Sequence, residues 1–141
     1  MSALESMIRV HQWMLDERRR GLAELQVFLD KLKADLVALD ANLEAERAAA
    51  GNSGEAALTY PAFVAAALER RKKLCGTIAN LEGQLEALRE AVAEAYRELK
   101  KYELAQENQV KRASAKRARK ERLELDELAV SLYRRNKAAA D

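Results

Sequence analysis

The chain has 141 residues, which is enough for one domain with a modest hydrophobic core. It carries 25 basic and 23 acidic residues, so its net charge of +2 does not by itself imply a nucleic-acid or anionic-membrane partner. The chain has a single cysteine, Cys75, which excludes an internal disulfide. Its single histidine, His11, adds only one more nitrogen or sulfur ligand, which is too few for a zinc site.

These absences favour a soluble protein of the reducing cytoplasm. The N-terminus lacks the apolar stretch of a signal peptide. The longest apolar-rich run, 61–68, is far shorter than the ~20 residues that span a bilayer, so we expect no transmembrane segment. Proline and glycine are scarce, as is typical of long helices and coiled coils.

In the first third of the chain, apolar residues recur at alternating steps of four and three. This is the seam of a coiled coil, and it predicts a helix over residues 3–48. Ten of the thirteen seam positions are apolar, and the set is Leu4, Ile8, His11, Leu15, Arg18, Leu22, Leu25, Leu29, Leu32, Leu36, Leu39, Leu43 and Glu46.

A cluster of turn-forming residues, 51–54, interrupts the pattern and predicts a turn over residues 49–59. Pro61 follows, and proline is well tolerated in the first turn of a helix, so the second helix is predicted over 60–136. Its seam is apolar at twelve of thirteen positions, namely Tyr60, Val64, Ala67, Arg71, Leu74, Ile78, Leu81, Leu85, Leu88, Val92, Ala95, Leu99 and Tyr102.

The two seams have equal length and flank one turn. We therefore predict a single domain of the all-α class: a long antiparallel two-helix coiled-coil hairpin in which Leu4 lies near Tyr102 and Leu43 near Val64. His11 would then face Ala95, where a polar seam residue can set the register. The alternative is a parallel homodimer, and the sequence leaves open whether whole hairpins dimerise.

The second helix is predicted to overhang its partner after Tyr102. Continuing the seam places glutamine and lysine at its positions, and residues 103–122 hold seven basic but only three acidic side chains. Three interpretations stay open: a solvated helix, a contact surface for an acidic protein, or a nucleic-acid-binding basic region. The third is disfavoured because the leucines that follow are too few to form a dimerising zipper.

Two apolar patches lie outside the seams. One is the stripe Leu125, Leu128 and Leu132 near the C-terminus. The other, near the N-terminus, comprises Met7, Val10, Trp13 and Met14. Methionine and tryptophan are favoured at protein-binding surfaces, so we predict a partner there; the alternative is that the two patches pack on each other.

No catalytic, cofactor or metal constellation is evident in the sequence. It holds no glycine-rich phosphate loop, no pair of histidines and no nucleophile with an adjacent base. We predict a protein that binds other proteins and is not an enzyme.

Three short motifs support a family resemblance: Tyr60-x-x-Phe63 at the start of the second helix, 99–103 (LKKYE) in its middle and 126–129 (DELA) near the C-terminus. With the leucine seam and polar turn before them, they make the chain resemble the FliJ family of flagellar export proteins and, more distantly, the YscO-like stalk proteins of type III secretion. The resemblance covers nearly the whole length.

The resemblance implies a stalk in bacterial flagellar protein export that binds the hexameric export ATPase, contacts the membrane export gate and escorts export chaperones. It implies a cytoplasmic location, peripheral at the inner membrane face. Tyr60 and Phe63 would face the gate. The ATPase end would comprise Arg112, Lys116, Arg117, Arg119, Lys120, Asp126, Glu127 and Leu128. The alternative is a structural or adaptor coiled coil without a role in secretion.

Overall fold

The structure, a computed structural model, describes residues 2–52 and 54–140, and it is all-α as predicted. Helix α1 spans Ala3–Asn52 and helix α2 spans Gly54–Ala140. The contacts divide the chain into two compact units, Met1–Val10 with Glu98–Asp141 and His11–Arg97. We refer to them as the terminal unit and the central unit.

Helix α1 begins with a reciprocal capping box. The backbone N–H of Glu5 donates to the Ser2 hydroxyl oxygen at 3.1 Å, and the Ser2 N–H donates to the Glu5 carboxylate at 3.3 Å. Two backbone donors that have no partner inside the helix are thereby satisfied, which explains why the helix starts at Ala3.

The predicted turn over residues 49–59 is wrong in extent. Residues 49–52 end α1 and 54–59 begin α2, while Ser53 lies outside the described residues. Pro61 is consequently inside α2. The prediction placed the start of the second helix next to Pro61. Residues 55–58, which precede it, are mostly strong helix formers, and they extend the helix towards the N-terminus. The alanines at the C-terminus likewise carry α2 to Ala140, past the predicted end at 136.

The seams form the core. The eight buried hydrophobic residues of the described chain all occupy predicted seam positions: Ile8, Leu15, Leu29, Ala67, Ile78, Leu85, Ala95 and Leu99. Among the 26 predicted positions, only Arg18 and Glu46 are exposed. The periodic spacing of the leucines thus identified the buried face of each helix correctly.

The central unit is held together by a cluster around Leu29, which is 1% exposed and packs with Ile78 and Leu85. Burying a leucine contributes roughly 1.5–3 kcal/mol, so this face supplies stability that neither helix has alone. Six half-buried leucines surround the cluster: Leu22, Leu25, Leu32, Leu36, Leu74 and Leu81.

Two interhelical ion pairs show that α1 and α2 run antiparallel in the central unit. Lys33 Nζ lies 3.1 Å from Glu82 Oε1, and further along α1 Asp40 Oδ1 lies 2.8 Å from Arg71 Nε. As the residue number rises on α1, it falls on α2. Pairing within one chain buries the seams that a parallel homodimer would otherwise have to cover.

The ion pairs also correct the predicted register. The predicted pairing would place Asp40 opposite Ala66 and Lys33 opposite Lys73, whereas their partners lie five and nine residues further along α2. In a repeating leucine pattern several registers match apolar to apolar, so the charged residues in and beside the seam distinguish among them.

In the terminal unit, the burial of α2 ends later than predicted. Ile8 and Leu99 are buried, and Tyr102, Glu103 and Gln106 are half-buried. From Glu107 to Ala140 every residue is helical and exposed. The coverage predicted to end at Tyr102 extends to Gln106, and projection of the remainder beyond its partner helix stays a prediction.

Arg71, a charged residue at a seam position, is accommodated by a two-pronged bond to Asp40. Its Nε and Nη2 donate to the two carboxylate oxygens at 2.8 and 3.4 Å, and Nη1 lies 3.9 Å from Cys75 Sγ. The hydrogen bond and positive charge of Arg71 lower the pKa of Asp40. The same pair raises the pKa of Arg71, so both groups are stabilised in their charged forms.

We predict a pH-dependent contribution from Asp40. Because its pKa is lower in the folded chain, the carboxylate stabilises the fold above its unfolded pKa of about 3.9 and loses that effect as the pH falls through the folded value. Asp40→Asn should lower the melting temperature at pH 7 by a few degrees at most, since both side chains are over 40% exposed. Thermal melts from pH 7 to pH 2 should show the difference between variant and parent vanishing at low pH. Asp16→Asn is the matched control, and a pH-independent difference for Asp40→Asn would contradict the assignment.

We also predict that two glycines of α2 weaken the helix. A methyl group added at Gly76 or Gly83 would meet nothing within 4 Å. Gly76→Ala and Gly83→Ala should each raise the free energy of unfolding by about 0.5–1 kcal/mol, measured by urea denaturation. The reverse change at an exposed alanine, Ala87→Gly, should lower it by a similar amount. A loss of stability in the glycine variants would contradict the open surroundings of these residues.

Candidate functional site

The residues predicted for the ATPase end all lie on one exposed stretch of α2 in the terminal unit. Each has an exposed side chain, and Leu128 is 56% exposed. The set is Arg112, Lys116, Arg117, Arg119, Lys120, Asp126, Glu127 and Leu128. The structure therefore brings them onto one element without burying any of them.

This stretch concentrates the positive charge of the chain. Residues 111–137 hold ten basic and four acidic side chains, a net charge of +6, so the remaining residues carry a net charge of −4. The polar contacts seen here are local: Lys111 lies 3.0 Å from Glu107, and Arg112 Nε donates to the Asn108 carbonyl oxygen at 3.4 Å. A local excess of this size favours an anionic partner.

The C-terminal apolar stripe lies on the same exposed stretch. Leu125, Leu128 and Leu132 are 66%, 56% and 47% exposed, and Tyr133 beside them is 67% exposed. The sequence left open that this stripe packs on the N-terminal residues of its own chain. Such packing would bury it, and the exposed side chains argue against that alternative.

The N-terminal patch is exposed at three of its four predicted members. Met7, Val10 and Trp13 are 40%, 51% and 64% exposed. Met14 is half-buried, which corrects its assignment as an exposed residue. It directly precedes Leu15 of the seam, which is 4% exposed, so Met14 flanks the interhelical contact and contributes less to the outer surface.

Tyr60 and Phe63, predicted to face the export gate, lie on α2 in the central unit and are both half-buried. Tyr60 is itself a seam residue. Phe63 sits immediately before the seam residue Val64 and one helical turn before Ala67, which is 3% exposed. Only part of each ring is therefore available to a partner.

The central unit also contains a groove that the sequence prediction missed. It has a volume of about 1080 Å³, and its base includes the seam residues Leu39 and Leu74. The α1 wall is made mainly of small residues, and the α2 wall carries Arg70 and Lys73. The lining residues are Asp35, Ala38, Leu39, Ala41, Asn42, Ala45, Arg70, Lys73, Leu74 and Thr77.

A sequence signal for this groove existed in the alanines that flank the first seam. Small side chains beside a leucine seam leave space along the line where two helices meet, because the backbones are held apart by the larger residues in the seam. The groove is open and lacks a nucleophile–base pair, so it is suited to holding a partner's side chains rather than to catalysis.

The described part of the chain contains neither a candidate metal site nor a helix that could span a membrane. Residues 2–52 and 54–140 contain no group of three histidine, cysteine, aspartate or glutamate side chains placed to hold a metal ion. Over the same residues, no helix combines the length and apolarity needed to cross a bilayer.

Comparison with known proteins resolves the family. The profile of the family described as "Flagellar FliJ protein" matches residues 1–138, almost the whole chain. The chain belongs to the FliJ family. No curated protein and no solved structure matches it.

Membership confirms the resemblance inferred from the sequence motifs. A FliJ protein is a component of the flagellar export apparatus, and the family is structural and non-catalytic. The groove, the basic stretch and the apolar patches of this FliJ protein are accordingly candidate surfaces for binding other parts of that apparatus.

Proposed function

We propose that this FliJ protein is the stalk of the flagellar export machinery. In this role it binds the hexameric export ATPase, promotes its assembly and activity, contacts the export gate and escorts export chaperones. Family membership over residues 1–138 supports the assignment to the apparatus. It also disfavours a structural or adaptor coiled coil without a role in secretion.

The observation that carries the ATPase contact is the exposed helix from Glu107 to Ala140. It is 34 residues long, has no buried side chain and includes the concentrated positive charge of 111–137. An isolated helix draws little stability from propensity alone, so a helix left without tertiary burial is suited to a partner that covers it. Acidic groups lining a ring would match its charge.

The gate contact is proposed at the opposite end of α2. Phe63 offers a partly exposed aromatic ring, and Arg70 and Lys73 of the groove lie about two and three turns further along the same helix. Aromatic residues are enriched in the buried cores of protein interfaces, so Phe63 is proposed as the anchor of this contact. Through this contact the chain would sit at the cytoplasmic face of the inner membrane without crossing it.

The ATPase contact is tested by ATP hydrolysis by the flagellar export ATPase of the same organism. The chain should stimulate hydrolysis and shift the ATPase toward hexamer. The double variant Arg117→Glu with Arg119→Glu should lower the apparent affinity by about tenfold or more, because two attractive charges become repulsive. Activity assays and sedimentation measure both effects.

Lys31→Glu with Lys72→Glu is the matched control, since it reverses two exposed charges in the central unit. It should leave stimulation unchanged. Equal stimulation by all three proteins would contradict the interface at 112–120. No stimulation by the parent chain, with helicity verified by circular dichroism, would contradict the stalk function itself.

A second prediction tests the gate contact. Phe63→Ala should weaken binding to the soluble cytoplasmic domain of the gate protein by about tenfold, because truncating an aromatic anchor typically costs more than 1 kcal/mol. Isothermal titration measures the affinity. Leu58→Ala, at a residue of the same helix that is 83% exposed, should have little effect. Equal affinities for the two variants would show that Phe63 is not the anchor.

A further inference from the structure

The groove of the central unit lies between two rows of residues, one on each helix. Asp35 and Asn42, seven residues apart on α1, line it together with Arg70 and Thr77, seven residues apart on α2. In a coiled coil, a step of seven residues returns to the same side of the helix pair. Both rows therefore run along the side of the helix pair that holds the groove, and each can be followed beyond it.

Each row leads to a phenylalanine. Phe28 is seven residues before Asp35 on α1, and Phe63 is seven residues before Arg70 on α2. Because the helices are antiparallel, these steps lead in opposite directions, so one phenylalanine lies beyond each end of the groove. Phe28 is 48% exposed and Phe63 is half-buried. With the residues that line the groove, they form a continuous strip of roughly 30 Å, which we call the groove surface.

Two basic side chains of the groove surface lack a partner within the described chain. In residues 2–52 and 54–140, neither Arg70 nor Lys73 forms a side-chain hydrogen bond or an ion pair, whereas Arg71 between them is bonded to Asp40. Asp35, the acidic residue of the same lining, is not within ion-pair distance of either base. The positive charge on the α2 wall is thus left for an acidic partner.

The shape of the groove suits a helix as its occupant. It follows the line where α1 and α2 meet, and its base includes Leu39 and Leu74. Amphipathic helices bind grooves of this kind by laying an apolar face on the base, with anchors at steps of three, four and seven residues. An extended peptide would instead add to the free edge of a sheet, and the described residues 3–52 and 54–140 are entirely helical.

A second copy of this chain matches the charges of the groove surface less well. Two copies meeting groove to groove would bring together four basic side chains and two carboxylates, contributed by Arg70, Lys73 and Asp35 of each copy. Two bases would then lose water without gaining an acid, which costs free energy. A helix with a carboxylate for each base avoids that cost.

We propose that the groove surface binds an acidic amphipathic helix of about 20 residues in the cytoplasmic domain of the export gate protein. The apolar face of that helix packs on Leu39 and Leu74, and its carboxylates pair with Arg70 and Lys73. Phe28 is the second anchor of the contact, at the end of the groove far from Phe63. This inference rests on the gate contact of the proposed function and adds the partner's helix, its charge and the second anchor.

Isothermal titration of the full chain with the soluble cytoplasmic domain of the gate protein tests the second anchor. Phe28→Ala should weaken binding by about tenfold, because aromatic anchors carry a large share of interface affinity. Val27→Ala is the matched control: Val27 is 70% exposed, and one residue turns the helix through about 100°, away from the row of Phe28. It should have little effect. Thermal melts check that both variants fold as the parent does.

A pair of charge reversals tests the chemistry of the partner. Arg70→Glu with Lys73→Glu should weaken binding by about tenfold or more, because two attractions become repulsions. Arg19→Glu with Lys72→Glu reverses two exposed charges outside the groove lining and should have little effect. Hydrogen exchange of the gate domain should show protection on binding in one helix that carries at least two acidic residues.

The outcomes separate this inference from the gate contact itself. If the parent binds and Phe63→Ala weakens binding while Phe28→Ala does not, the gate contact stands and the second anchor is wrong. Equal losses from the two charge pairs would show that total charge controls binding. Protection of a segment that is not helical or not acidic would overturn the assigned occupant.

Two further results would overturn the proposal as a whole. Absence of binding by the folded parent chain would contradict the gate contact and the acidic helix together. A dimer of the free chain in sedimentation, abolished by Arg70→Glu with Lys73→Glu, would show that a second copy occupies the groove.

Discussion

The contact between two leucine seams is the constraint on which the fold depends. A long helix is marginal in water until an apolar face is covered, and here the covering face is supplied by the same chain. Leu29, 1% exposed among Ile78 and Leu85, marks the best-packed part of that contact in the central unit. The seam forces the remaining surface of each helix outward, so the candidate binding surfaces consist mostly of residues that flank the seam or lie beyond its end.

Charged side chains in and beside the seam give the pairing its specificity. Apolar residues in a heptad pattern attract one another equally well in several registers, so they stabilise the contact without choosing one alignment. Arg71 with Asp40 and Lys33 with Glu82 are satisfied in the observed antiparallel register. These pairs are partly exposed and contribute little net stability, yet a displaced register would separate them. A small energetic difference of this kind is sufficient when the competing registers bury similar apolar areas.

The stretch from Glu107 to Ala140 is organised differently from the rest of the chain. It has no buried residue, so its stability comes from helix propensity and local contacts such as Lys111 with Glu107. Its chemistry is that of a contact surface, basic first and then leucine-rich. This division suits a structural component of an export apparatus. The seam residues stabilise the helix pair, and the exposed side chains of 107–140 are available to bind partners.

The sequence by itself determined the all-α class, the residues of both seams and the exposure of the basic stretch, because a repeat of three and four residues specifies which face of a helix is apolar. The motifs from Tyr60 to Ala129 also indicated the family. The turn is shorter than the sequence prediction because the local helix propensity of residues 55–58 extends α2 backwards. Only the tertiary structure decided the register and the groove at Arg70 and Lys73. Those features depend on which side chains of α1 meet which of α2, as do the half-buried state of Met14 and the coverage of Gln106. The spacing of apolar residues along one helix is a local property of the sequence. The alignment of α1 against α2 depends on ion pairs and on side-chain volumes of residues that are far apart in the chain.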